Sequence, residues 1–211
     1  MILLPGFVFA IGAAAFDPAR EAMPPLSPRS LPPNGRVLFR DSFSERALAG
    51  WEADREGVWS VRGGVLRAEL PDRRQERSFL FAGSEEWTNY AVDLDVLGMR
   101  GVDKGIGVRV LDHKTGVGID VRGPGYQDVI AHVREWPVGK APVVNANGVW
   151  HHLRVEVRNL SLRVWVNGTL LIDRHEVRRM PAEGRIALAA YTGGVGECTV
   201  YYDNIVVTEL K

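Results

Sequence analysis

Six side chains in the middle of the chain could act together on a polar ligand: Arg109, Asp120, Arg122, His132, Arg134 and Trp136. Each lies where apolar and polar residues alternate. Residues 105–111 carry Ile106, Val108 and Val110 on one face and Arg109 on the other. Residues 118–122 carry Ile119 and Val121 on one face, Asp120 and Arg122 on the other. Residues 129–136 carry Val129, Ala131 and Val133 on one face, and His132, Arg134 and Trp136 on the other. Alternation of this kind sends successive side chains to opposite faces of a strand. If the three strands are neighbours, the six groups share one face. An aromatic ring beside Arg, Asp and His can stack on and hydrogen-bond a sugar or an anionic glycan. The alternative is a cross-strand charge ladder on an exposed sheet.

Other chemistries find less support. No Gly-x-Ser-x-Gly elbow occurs, and Cys198 falls in an alternating stretch where it reads as a small buried apolar residue. His151 and His152 are adjacent, so on a strand they face opposite ways and cannot share a metal. His113, His132 and His175 lack ligand spacing. Gly63-Gly64 and Gly193-Gly194 have no following helix to make a phosphate cradle and read as turns. Asn159-Leu160-Ser161 and Asn167-Gly168-Thr169 fit a glycosylation sequon, but both fall at expected hairpin turns.

The elements that position these residues are strands. Leu153, Val155 and Val157 alternate with charged residues, as do Leu162, Val164 and Val166 with polar or aromatic ones. Asn167-Gly168 between such runs is a two-residue hairpin turn. Further strands are expected near 59–61, 65–69, 78–81, 90–97, 184–191 and 199–207, with a short turn at 45–48 as the best helical candidate. Short strands punctuated by turns define an all-β, two-sheet antiparallel sandwich over residues 37–211.

The chain has 211 residues, 26 basic and 26 acidic, so it lacks the basic footprint that nucleic acid requires. A single cysteine excludes an intrachain disulfide. Residues 2–16 form an apolar run that ends in small residues. It resembles a secretory signal without a basic residue ahead of it, a retained anchor embedded in a membrane or held by a partner, or a disordered start. Residues 17–36 are Pro-rich and read as a semi-rigid spacer. Both segments place the sandwich in the periplasm or at the outer face of a membrane.

The ordered motifs Leu38-Phe39-Arg40-Asp41-Ser42-Phe43, Gly50-Trp51, Gly57-Val58-Trp59-Ser60-Val61, Gly63-Gly64-Val65-Leu66, Trp150-His151-His152-Leu153, Val166-Asn167-Gly168 and Tyr202-Asp203-Asn204-Ile205 resemble the concanavalin A-like jelly roll. That group includes laminin-G, family 16 glycosidase and 3-keto-disaccharide hydrolase-like domains. The resemblance implies a lectin, a glycosidase or an interaction module. Family 16 glycosidases carry Glu-x-Asp-x-x-Glu on one strand. Asp93 and Asp95 stand at its first two positions, but Gly98 stands at the acid/base position and cannot give a proton. Asp93 and Asp95 then read as the wet face of a strand. The resemblance also implies a structural calcium shared by Asp41 and Asp203, with the Gly64 carbonyl as a further donor. Three functions stand open: a non-catalytic glycan-binding domain of the cell envelope, an accessory subunit docked on a membrane protein complex, or a hydrolase with other catalytic residues.

Overall fold

The computed structural model describes residues 35–45, 47–71, 73–123, 125–134 and 136–211. The apolar run at 1–16 and nearly all of the expected spacer at 17–36 lie outside the described residues. Fifteen strands follow in chain order: β1 (Val37–Asp41), β2 (Trp51–Ala53), β3 (Trp59–Arg62), β4 (Val65–Leu70) and β5 (Arg77–Ala82). Then come β6 (Tyr90–Arg100), β7 (Asp103–Asp112), β8 (Thr115–Arg122), β9 (Asp128–Val133) and β10 (Trp136–Pro142). The last are β11 (Trp150–Arg158), β12 (Ser161–Val166), β13 (Thr169–Arg174), β14 (Arg185–Tyr191) and β15 (Cys198–Glu209).

They form two antiparallel sheets. The eight-stranded sheet runs β13-β12-β11-β6-β15-β4-β3, with β1 also pairing β15. The seven-stranded sheet runs β10-β9-β8-β7-β14-β5-β2. Leu66, Leu94, Val96, Leu153, Val155 and Val164 of the first face Leu80, Ile106, Val108, Ile119, Val121 and Leu188 of the second in one continuous core. Each such side chain contributes about 1.5–3 kcal/mol when taken from water. Turns close as their residues dictate. Asn167 and Gly168 adopt φ of 51° and 81°, and Gly63 and Gly64 adopt 62° and 81°. These left-handed pairs match the twist of the hairpins they join.

Two expectations change. No helix occurs among the described residues, and Glu45 and Ala47 are bends rather than a helical turn. The strand expected over 129–136 is two strands: β9 stops at Val133, Arg134 takes φ 56°, and Trp136 opens β10 opposite Val133. Periodicity alone continued across this turn because Arg134 keeps the polar parity of the strand before it.

Candidate functional site

The outer face of the seven-stranded sheet is a groove of about 710 Å³. Register explains its shape, because residues directly opposite on paired strands share a face. One row across the sheet reads Phe81, Ala187, Gly107, Gly118 and His132. The next reads Phe79, Ala189, Gly105, Asp120 and Ile130. The third reads Arg77, Tyr191, Asp103, Arg122 and Asp128. The middle of each of the first two rows is Gly or Ala, so the floor is nearly bare backbone. Bulky side chains stand at the two sides. A Cβ on Gly118 would lie 2.5 Å from the His132 ring, and one on Gly105 would meet backbone of β8.

One wall is aromatic. Phe79 and Phe81 are 6.0 Å apart between centroids, and His113 meets Phe81 edge-on at 5.4 Å. His113 arrives there because a bulge between Val108 and Asp112 bends the β7–β8 hairpin over the sheet. Val110 joins Phe81 and Ala187 in a small apolar cluster beneath it.

The other wall is charged. His132 Nε2 lies 2.9 Å from Asp120 Oδ2, and its Nδ1 bonds the Arg134 carbonyl. Both partners accept, so a ring making both bonds carries two protons. Burial opposes that charge, but the Asp120 bond and charge, the Arg134 carbonyl and Asp103 outweigh it and raise the His132 pKa. Arg122 makes a fork to Asp128 at 2.7 and 2.9 Å and lies 4.3 Å from the Tyr126 ring centroid. Asp103 has a buried Oδ1 without a hydrogen-bond partner. Burial first, then the charge of Asp120, pushes its carboxyl up to about 6.

Of the six residues singled out from sequence, Asp120, Arg122, His132 and Arg134 line this groove together. Arg109 does not. It sits at the bulge with φ 50° and is 1% exposed. Its guanidinium donates to the carbonyls of Thr88, Asn159 and Pro181 at 2.9, 2.5 and 2.9 Å, so it anchors the bent hairpin from behind. Trp136 does not either: it pairs with inward-facing Val133 and stands 67% exposed at the start of β10. Residues 103, 79, 81 and 191 were not singled out, although Asp103 shares the outward parity of Gly105 and Gly107.

Asp93 and Asp95 lie on the outer face of the other sheet, away from the groove. His152 bridges them, with Nε2 3.1 Å from Asp93 and Nδ1 3.0 Å from Asp95. Arg154 donates to Asp93 at 2.5 Å and lies 5.9 Å from the Trp165 ring centroid. His151 points inward, as alternation requires, and contacts Asn167 at 3.2 Å. A Cβ on Gly98 would lie 2.7 Å from Nζ of Lys104, whose side chain enters the core from β7. Burial pushes that ammonium down to about 8, and pushes the Cys198 thiol up to about 11.

Asp41 and Asp203 sit near the junction of β1 and β15. Asp41 accepts from the Phe43 N–H and the Trp51 indole, both at 2.7 Å. Burial, then the charges of Asp95 and Asp41, pushes Asp203 up to about 6. Gly64 is in the β3–β4 turn. Among the described residues no group of three or more His, Cys, Asp or Glu could hold a metal ion. The carboxylates present therefore fit calcium only with help from carbonyls or water.

The two antiparallel sheets define a jelly-roll β-sandwich with an open groove on one outer face. Residues 38–208 match the 3-keto-alpha-glucoside-1,2-lyase-like domain, and the chain belongs to that family. No curated protein sequence matches it. Among solved structures it is similar to a carbohydrate-binding module from Bacillus subtilis, at 17% identity and a TM-score of 0.61, over 76% of this chain and 96% of that one. It is also similar to LamA from Z. galactanivorans in complex with laminaritriose and laminaritetraose (15%, TM-score 0.60, 82% and 98% covered). A third is the VIP36 exoplasmic/lumenal domain in a Ca2+/Man3GlcNAc-bound form (12%, TM-score 0.61, 79% and 86% covered). At such identities the likeness concerns the fold.

Proposed function

We propose that this protein binds glycans in the groove of its seven-stranded sheet. One observation carries the reading: a floor of Gly105, Gly107, Gly118, Ala187 and Ala189 lies between an aromatic wall and a wall of hydrogen-bonding charges. A sugar ring offers an apolar face and a rim of hydroxyls. Phe79, the partly exposed ring of that wall, suits the face, while Asp120, His132 and Arg134 suit the rim. The likeness to carbohydrate-binding folds supports the same reading. The apolar run at 2–16 supports action outside the cytoplasm.

The test is retention of the domain by an immobilised panel of laminaritriose, cellotriose, maltotriose, kestose, trigalacturonate and α-glucosides oxidised at C3. Calorimetry then gives Kd for each sugar that retains it. Ala189→Trp fills the floor and abolishes retention while the melting temperature holds. Retention unchanged by that substitution moves the site elsewhere, and no retention by any sugar ends the reading.

A calcium ion near Asp41 and Asp203 is a second proposal, favoured by the carboxylate repulsion that helps raise Asp203. A bound cation relieves it, so the melting temperature rises in calcium relative to chelator. Equal melting temperatures remove the ion.

A further inference from the structure

We propose that the Pro-rich segment at residues 24–31 docks lengthwise along the outer face of the eight-stranded sheet, seated on Leu97, Trp150 and Tyr201 with Arg29 beside Asp95 and Asp203. The segment itself lies outside the described residues. Its docking face is on the opposite side of the sandwich from the groove, so the inference stands apart from the glycan-binding reading.

The face is buried along its middle. Every described strand belongs to one of the two sheets, and the second sheet packs on the core side. Residues of β6 and β15 that point away from that core therefore have no strand above them. They are nevertheless shielded from water. Ala91 and Thr208, opposite each other, are fully buried. Leu97 and Tyr201, also opposite, are 2% and 3% exposed. Arg67, Tyr201, Leu97 and Trp150 form one row across the face. Val65 and Met99 complete an apolar cluster there, separate from the main core.

The chain enters on this face. Gly35, just ahead of β1, lies against Thr208, where a Cβ on it would collide with Thr208 Cγ2. Thr208 points outward because its neighbour Val207 is a core residue. The residues before Gly35 thus start above β15. Ala91 to Leu97 is six residues along β6, about 20 Å. A polyproline helix rises about 3.1 Å per residue and covers that length in six or seven. Counting back from Gly35 brings Pro28 and Arg29 to the level of Leu97 and Tyr201.

The chemistry of the segment fits what it meets. It reads Pro24-Pro25-Leu26-Ser27-Pro28-Arg29-Ser30-Leu31. Prolines preset the extended helix, so docking costs little entropy, and aromatic-lined surfaces hold such helices. Trp150 and Tyr201 supply the rings. The buried indole N–H of Trp150 lacks an acceptor, and a polyproline helix leaves its carbonyls free to accept. Arg29 is the one charged residue between positions 22 and 34. Asp95 and Asp203 stand opposite each other on β6 and β15. Burial and the charges of Asp95 and Asp41 act on Asp203, with no cation of the described residues offsetting them. The nearby Arg154 is already held by Asp93 and Glu156. Docked in this way, the segment ties the start of the chain to the sandwich instead of holding it at a distance, and leaves the groove open.

The test uses the full chain in mild detergent, with a nitroxide attached through Ser27→Cys. The buried thiol of Cys198 stays unlabelled. Amide spectra are taken in chelator, so that no cation at Asp203 competes with Arg29. Paramagnetic broadening is expected at Leu97, Met99 and Tyr201, with Gly107, Gly118 and Ala187 on the other outer face unaffected. Moving the label to Ser30→Cys moves the broadening along β15 toward Asp203 and Thr208. Arg29→Glu lowers the docked-to-free ratio by about tenfold, the worth of one charge-assisted bond. Pro25→Gly with Pro28→Gly also lowers it. These changes lie outside the sandwich, and unchanged groove amides report that it is still folded. No broadening, broadening centred on the groove, or broadening that ignores the label position overturns the docking. So does broadening at native strength in both the Arg29 and the proline variants.

Discussion

Gly118 and His132 show how much of the site rests on single residues. The imidazole lies over the glycine so closely that a Cβ would sit 2.5 Å from it. Gly118→Ala therefore displaces the ring from Asp120. The expected result is at least about tenfold weaker glycan binding with unchanged circular dichroism, since one well-placed charge-assisted bond contributes about 1.5–3 kcal/mol. Binding within twofold of native would show that the His132–Asp120 pair does not touch the sugar. This dependence was not legible in sequence: Gly118 was read as the start of a strand, and only pairing of Gly118 with His132 reveals its role. Asp120, Arg122 and His132 were legible, because each kept strict alternation within one strand. Arg109 misled because a bulge breaks parity without changing composition. Trp136 misled because a turn does the same.

At the scale of elements, the β7–β8 hairpin decides the shape of the groove. Arg109 donates to three backbone carbonyls that lie beneath the hairpin. Arg109→Ala removes all three bonds and leaves a cavity in place of a side chain that is 1% exposed. The expected loss is about 2–4 kcal/mol in urea unfolding, the usual range for breaking a buried polar network. It should come with weaker glycan binding, because His113 loses its support. Stability within 0.5 kcal/mol of native, below the usual effect of a point substitution, would contradict the anchoring role. Strand positions were largely legible from period two and from Asn-Gly and Gly-Gly turns. The three-residue β2 was not, since Trp51–Ala53 is too short to show a period.

For the whole molecule, buried titrating groups set the response to pH. Asp103 and Asp203 are both pushed from the ordinary 3.8 up to about 6. The folded state then holds protons that the unfolded state has lost. Their contribution to stability is full below pH 3.8 and is lost as pH rises to about 6. His132, also raised, acts with the same sign at higher pH. Urea midpoints should therefore fall between pH 4 and pH 6.5, and the double variant Asp103→Asn, Asp203→Asn should flatten that fall. Lys104 acts oppositely. Its pKa is pushed from 10.5 down to about 8, so its unfavourable contribution is full below pH 8 and fades as pH rises to 10.5. Lys104→Met, which keeps volume and removes a buried unpartnered ammonium, should raise the melting temperature at pH 7. A lower melting temperature would mean that the ammonium has a partner of its own. The sandwich was legible at this scale from its alternation, whereas its buried ammonium was not, because one Lys in a strand reads as exposed.

The central claim is that a glycan occupies the outer face of the seven-stranded sheet. Amide chemical-shift mapping tests it most directly, by titrating the labelled domain with the tightest-binding sugar of the panel. The expected shifts cluster at Gly105, Gly107, Gly118, Asp120, His132 and Ala189, with the amides around Asp93 and His152 on the opposite sheet unmoved. Shifts centred on the Asp93–His152 face, or on the loops alone, would contradict the claim.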